Sequence, residues 1–167
     1  MIAHAGLIAT WTRGRWHGVL IEGPPGSGKS DLALRAMEAG WRLVADDRVL
    51  LWSSGEHLWG RAPETLSGMI EARGVGIVPH ATLAMAQIDL IFHCAPGPDS
   101  VERLPDPEQT DRLSVCLPQL TLWPFEPAAL AKLSHALAHL GDSELQAYQE
   151  AFALATLRPG DRLKVRR

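Results

Sequence analysis

The sequence predicts an α/β domain with a helical C-terminal end. Three observations carry that prediction. Val19-Leu20-Ile21 is a short, continuously apolar run, the pattern of a strand buried on both faces. It leads through Glu22 into a glycine-rich segment and then a helical pattern from Lys29 to Ala39, with Leu32, Ala33, Ala36 and Met37 on one stripe. The last third carries two further leucine-rich stripes at helical spacing.

Taken in order, Ile2 to Thr10 reads as a strand, and Trp11 to Gly18 as a turn-rich hairpin into the next strand. Gly40 is a natural stop for the first helix. Trp41 to Ala45 follows as a strand closed by Asp46-Asp47, and Val49 to Trp52 as another. Residues 60–73 read as irregular, and Gly74 to Val78 leads to a proline. Ile88 to His93 is a further buried strand, and 96–111, rich in proline and acid, reads as a long loop. Leu130, Leu133, Leu137 and Leu140 define one late helix. Leu145, Tyr148, Phe152 and Ala155 define a second, with Ser143 and Gln146 spaced as a capping box.

At 167 residues the chain suits a single domain, 1–167, able to bury a core. Apolar residues make up 46% and charged residues 21%, the balance of a soluble globular protein. A net charge of -3 gives no support for contact with nucleic acid or an anionic membrane. The basic end, Arg162 to Arg167, reads as a solvated tail. No apolar run nears the roughly 20 residues that span a bilayer. Cys94 and Cys116 are too few for a disulfide framework, so two reduced thiols and a cytoplasmic location are expected.

The chemistry is concentrated in Gly23-Pro24-Pro25-Gly26-Ser27-Gly28-Lys29-Ser30, which meets the spacing G-x-x-x-x-G-K-[ST] between a strand and a helix. Glycines let successive backbone N–H groups curl around phosphate oxygens, and the helix N-terminus favours negative charge. Lys29 can reach the β- and γ-phosphates of a nucleotide and the Ser30 hydroxyl can hold Mg²⁺, so ATP binding is expected. Transfer also needs a carboxylate. Asp46 and Asp47 close a strand whose end, in a parallel sheet, lies beside the loop. Adjacent residues on a strand face opposite ways, so one of the two is expected to face the nucleotide.

Four segments together resemble the catalytic domain of bacterial HPr kinase/phosphorylase. They are His4, the loop Gly23 to Ser30, Leu43-Val44-Ala45-Asp46-Asp47, and Ile70-Glu71-Ala72-Arg73-Gly74-Val75-Gly76-Ile77, which is similar to the family signature. The resemblance spans about Ile2 to Val78. It implies a fold related to phosphoenolpyruvate carboxykinase, phosphorylation of a serine on the phosphocarrier HPr with Mg-ATP, its reversal by inorganic phosphate in many members, and a hexamer. By the same resemblance Asp47 is the proton acceptor, His4 the catalytic histidine, Lys29 the phosphate-holding cation and Ser30 with Glu71 the Mg²⁺ ligands. Asp46 and Arg73 support them. His17 is a rival for the histidine role, closer in sequence to the loop.

The chain departs from the family pattern in two places. It looks like a short form without the N-terminal domain of bifunctional members. Leu117 to Pro127 stands where they carry an arginine-bearing proline/glycine segment, and it holds no arginine, which bears on phosphorylase activity and on HPr docking. Arg112 is a candidate phosphate ligand, read first as solvated. His135 and His139 have a zinc-compatible i, i+4 spacing without a third ligand, so a solvated helix face is expected. Trp123 and Phe125 are a candidate partner-facing patch. Two rival functions are a P-loop kinase of a small metabolite and a non-catalytic nucleotide-sensing regulator.

Overall fold

The structure, a computed structural model, describes residues 1–139 apart from 73 and 104. Its elements are β1 (Ile2–Ala3), β2 (Gly6–Thr12), β3 (Arg15–Glu22), α1 (Lys29–Glu38), β4 (Arg42–Ala45), β5 (Val49–Ser54) and β6 (His57–Arg61). They continue as β7 (Met69–Ala72), β8 (Gly76–Pro79), β9 (Ala86–Cys94), β10 (Glu108–Arg112), β11 (Val115–Leu122) and α2 (Ala129–Ala138). The fold is mixed α/β and mostly strands. The second late helix, Leu140, the basic tail and Arg73 lie outside the described residues.

Nine strands form one sheet in the order β1-β5-β6-β9-β3-β2-β4. β9 is long enough to hold two partners along one edge. Its first residues pair antiparallel with β6, and its last, Ile91 to Cys94, pair parallel with β11. β10 is hairpinned onto β11. Among the described strands only β3–β9 and β9–β11 pair in parallel; β2 lies antiparallel between β3 and β4. The parallel pairing expected from Val19-Leu20-Ile21 is therefore confined to three central strands.

Alternation along β2 and β3 separates two apolar layers. Ile8, Val19 and Ile21 pack beneath the helices with Leu32, Ala33 and Ala36 of α1 and Leu133 and Leu137 of α2. Leu7, Ala9 and Leu20 face the other way, toward Val49, Leu51 and Leu58 of β5 and β6. At Gly60 a Cβ would sit 2.6 Å from a Leu7 methyl, so β6 needs a glycine to close over that face.

Three stretches are more regular than the sequence suggested. In 11–18 the strands extend until only Arg13 and Gly14 remain, both at positive φ, as a two-residue hairpin turn requires. Trp11 and Trp16 pair across that hairpin with ring centroids 5.5 Å apart. In 60–73, expected to be irregular, lie the end of β6, a 3-10 turn at Glu64–Leu66, and β7. The β7–β8 hairpin pairs only with itself and is tied to the core by buried Ile70 under α1. In 96–111 the loop closes earlier than expected, because β10 begins at Glu108. Its residues, Glu-Gln-Thr-Asp-Arg, are polar and mostly exposed, so an edge strand there leaves no hydrophobic trace.

Candidate active site

Strand direction assembles the site. β4 runs antiparallel to β2 and β2 antiparallel to β3, so β4 and β3 point the same way. β9 and β11 are parallel to β3 in turn. The C-terminal ends of β4, β3, β9 and β11 thus share one edge of the sheet, and the segments after β4, β3 and β11 open onto it. This is the crevice where open sheets hold ligands.

The loop after β3 is shaped by close approaches. A Cβ on Gly23 would lie 2.6 Å from the Ser27 hydroxyl and 2.8 Å from the Cys94 Cβ. Gly28, at φ +96°, caps α1, and a Cβ there would meet the Phe125 ring at 2.8 Å. Lys29 folds back over the loop, its ammonium donating to the carbonyls of Gly23 (2.9 Å) and Pro24 (3.1 Å). Lys29 is only 7% exposed and makes no salt bridge among the described residues. A buried ammonium satisfied by neutral carbonyls alone lacks a counter-charge, which an anion in the loop would supply.

Behind the loop, the Ser30 hydroxyl donates to the Asp46 carboxylate at 3.0 and 3.2 Å, and the Glu71 backbone N–H approaches the same group at 3.4 Å. Burial pushes the Asp46 carboxyl above the usual aspartate range, against the lowering effect of these hydrogen bonds. Asp47 leaves the strand in the left-handed region, at φ +64°, and so turns out instead of alternating across the sheet. One carboxylate oxygen of Asp47 lies 3.0 Å from Nδ1 of His4, which sits between β1 and β2. The side chains of His4 and Asp47 are about half exposed. A cavity of about 470 Å³ joins these groups, with Lys29, Ser30, His4, Asp47, Glu71 and Phe125 on its walls. Ser30 and Asp46 bring oxygen donors together, the donor type that Mg²⁺ takes, and Glu71 lines the same cavity.

The structure therefore brings His4, Asp47, Glu71 and Pro25, Gly26, Gly28, Lys29 and Ser30 of the loop onto one cavity, with Asp46 behind Ser30. Of the two aspartates only Asp47 lines the cavity, in keeping with the expectation that one of the pair would face it; Asp46 is buried behind, on the Ser30 hydroxyl. His17 lies elsewhere. It is near the start of β3, roughly 16 Å of strand before the loop, and its Nδ1 is 3.1 Å from Asp89. Arg112 is neither solvated nor directed at the loop: it grips Glu22, the last residue of β3, through two hydrogen bonds of 3.1 and 2.6 Å. This pair, with the placement of Phe125 on the cavity wall, was not foreseen; 90 residues separate Arg112 from Glu22, and no local pattern links them. Among the described residues no group of three or more His, Cys, Asp or Glu side chains forms a metal cluster. No helix there is long and apolar enough to cross a membrane.

Comparison with known proteins shows the family of the chain. The family described as HPr Serine kinase C-terminal domain matches residues 8–121. HPr kinase/phosphorylase of Levilactobacillus brevis is 38% identical over 116 residues, covering 63% of this chain and 37% of the relative. The protein of the same name in Limosilactobacillus reuteri is 44% identical over 84 residues, covering 46% of this chain and 26% of the relative. That in Streptococcus thermophilus is 52% identical over 62 residues, covering 36% and 20%. The chain thus spans well under half the length of these curated relatives. In three dimensions it is similar to the Hpr(Ser) kinase/phosphatase from Coxiella burnetii, with a TM-score of 0.69 at 24% identity, over 94% of this chain and 99% of that one. With the matched family covering more than half of its length, this chain belongs to the HPr serine kinase C-terminal domain family.

Proposed function

We propose that this chain transfers the γ-phosphoryl group of ATP to a serine of an HPr-like phosphocarrier protein. The observation that carries the reading is the convergence, in one cavity, of the Lys29–Ser30 loop with the Asp47–His4 pair. The family and its named relatives point to HPr as acceptor. Half-exposed Asp47 at the cavity mouth favours an acceptor presented from outside, hence a protein over a small metabolite.

The triphosphate would lie in the loop, its charge met by backbone amides, the N-terminus of α1 and the Lys29 ammonium. Lys29 would exchange its loop carbonyls for β- and γ-phosphate oxygens. Mg²⁺ would be held by Ser30 and Glu71, with Asp46 behind them, and when bound it neutralises charge on the phosphates. The serine Oγ attacks the γ-phosphorus in line, a new O–P bond forms, the bond to the β–γ bridging oxygen breaks, and ADP departs. Asp47 takes the hydroxyl proton, and His4 orients Asp47 through the 3.0 Å contact. Lys29 and the amides stabilise the charge on the moving group.

Phosphorolysis would use the same groups with inorganic phosphate as acceptor: a phosphate oxygen attacks the phosphoserine phosphorus, the bond to the serine Oγ breaks, Asp47 returns a proton to that oxygen, and pyrophosphate departs. The segment after β11 carries no arginine to hold that phosphate, so the forward direction is the one we assign. The same reading includes a P-loop kinase fold of the phosphoenolpyruvate carboxykinase type, one domain over 1–167, a cytoplasmic location and a hexameric assembly. Purified protein, Mg-ATP and HPr from the same organism, followed by mass spectrometry of HPr and then by excess inorganic phosphate, test both directions. Unmodified HPr alongside a labelled metabolite would favour a small-molecule kinase, and ATP retention without any transfer would favour a nucleotide sensor.

A further inference from the structure

The cavity has a wall that phosphoryl transfer leaves without a use. Phe125 stands on it with 47% of its surface exposed, an aromatic face open beside a loop built for anions. Its flanks are fixed. The Arg35 guanidinium of α1 binds the carbonyls of Pro124 and, at 3.4 Å, Glu126 on either side of it. Lys132 holds Glu126 at 2.5 Å. One edge of the ring presses on Gly28, which a Cβ would drive into it at 2.8 Å, and Trp123 meets it edge-to-face with centroids 6.0 Å apart. The ring is thus held in place with much of its surface still uncovered. Leu34, half-buried on α1, lines the same cavity. The polar neighbour there, Asp31, is engaged by Arg35 at 2.9 Å.

Topology gives this wall a position along a bound nucleotide. Asp47 follows β4 and Phe125 follows β11, and these strands stand two places to either side of β3. At about 4.8 Å per strand the two ends are roughly 19 Å apart along the sheet edge, with the loop between them. If the γ-phosphate lies toward Asp47, as the proposed function requires, the nucleoside end points toward Phe125 and Leu34.

We infer that Phe125 is the stacking platform for the nucleobase of the bound triphosphate, a specificity-determining residue outside the phosphate loop. This rests on the proposed nucleotide-binding reading, and the test separates the two. Isothermal titration calorimetry with ATP, ADP and inorganic tripolyphosphate is run on the wild type, Phe125→Ala, Phe125→Leu and Phe125→Trp. Base stacking predicts that Phe125→Ala and Phe125→Leu weaken ATP and ADP about tenfold, while tripolyphosphate binding stays within about twofold and Phe125→Trp keeps wild-type affinity for ATP. Phe125→Leu keeps apolar packing against Gly28, so it serves where the alanine variant fails to fold. Equal weakening of tripolyphosphate and ATP would overturn the inference, since the ring would then only shape the loop. Unchanged ATP affinity in Phe125→Leu would also overturn it, leaving the loop reading intact. A wild type that binds none of the three would sink both.

Discussion

Nδ1 of His4 lies 3.0 Å from a carboxylate oxygen of Asp47, at the mouth of the cavity that the Lys29–Ser30 loop closes from below. Both side chains are about half exposed, and pairs of that kind contribute only about 0–1 kcal/mol to stability. Their value is therefore geometric. Asp47→Asn should lower the transfer rate by roughly 10²- to 10⁴-fold, the usual worth of a positioned proton acceptor, while leaving ATP affinity unchanged. Single-turnover transfer beside calorimetric ATP binding checks this, and transfer to HPr at the normal rate by Asp47→Asn would remove Asp47 from its role.

His4→Ala should lower transfer less than Asp47→Asn does, because it frees Asp47 without removing it. The melting temperature should stay within a degree or two of wild type. His4→Asn can still donate to Asp47 and should recover part of the rate. A large fall in melting temperature in His4→Ala would recast the pair as structural.

Lys29→Ala should act on binding. The ammonium is buried and its acceptors are two loop carbonyls, so its removal takes away a charged contact to the phosphates worth about 1.5–3 kcal/mol, roughly 10- to 150-fold in ATP affinity. Equilibrium dialysis with labelled ATP measures it.

Asp46 gives the site a pH signature. Burial raises its carboxyl pKa in the folded protein, so its contribution to stability is fully present below the unfolded value and is lost as pH rises through the folded one. Near neutrality the ionised group is a cost that a bound cation would relieve. Asp46→Asn should therefore melt higher than wild type at neutral pH without magnesium, lose that advantage in acid, and gain less from Mg-ADP. Melting curves across pH, with and without Mg-ADP, show whether the two profiles converge in acid.

Arg112 and Glu22 clamp the strand that delivers the loop. Arg112→Ala would leave the partly buried Glu22 carboxylate without its two donors, at a cost of about 1–3 kcal/mol in urea unfolding. Arg112→Lys should recover little, because an ammonium cannot reproduce the two-pronged contact. Arg112→Ala combined with Glu22→Gln should recover more.

What the sequence made legible is what local spacing encodes. The run Val19-Leu20-Ile21, the glycines at 23 and 28, and the stripe at Leu32, Ala33 and Ala36 each carry their own physical signal, and each lies where expected. Asp46 and Asp47 were found by position at a strand end, but their division of labour depends on the left-handed turn at Asp47, which no side-chain pattern announces. β6 and β10 escaped because one was short and the other polar. The antiparallel arm and the Glu22–Arg112 clamp are products of topology, joining residues too far apart in sequence for any periodicity to connect.

The most direct trial mixes the chain with HPr from its own organism and Mg-ATP, and reads HPr by tandem mass spectrometry, with Asp47→Asn run in parallel. Phosphate on one HPr serine in the wild-type reaction, and none with the variant, is the expected outcome. HPr that stays unmodified while the wild type retains ATP, or equal labelling by both proteins, would contradict it.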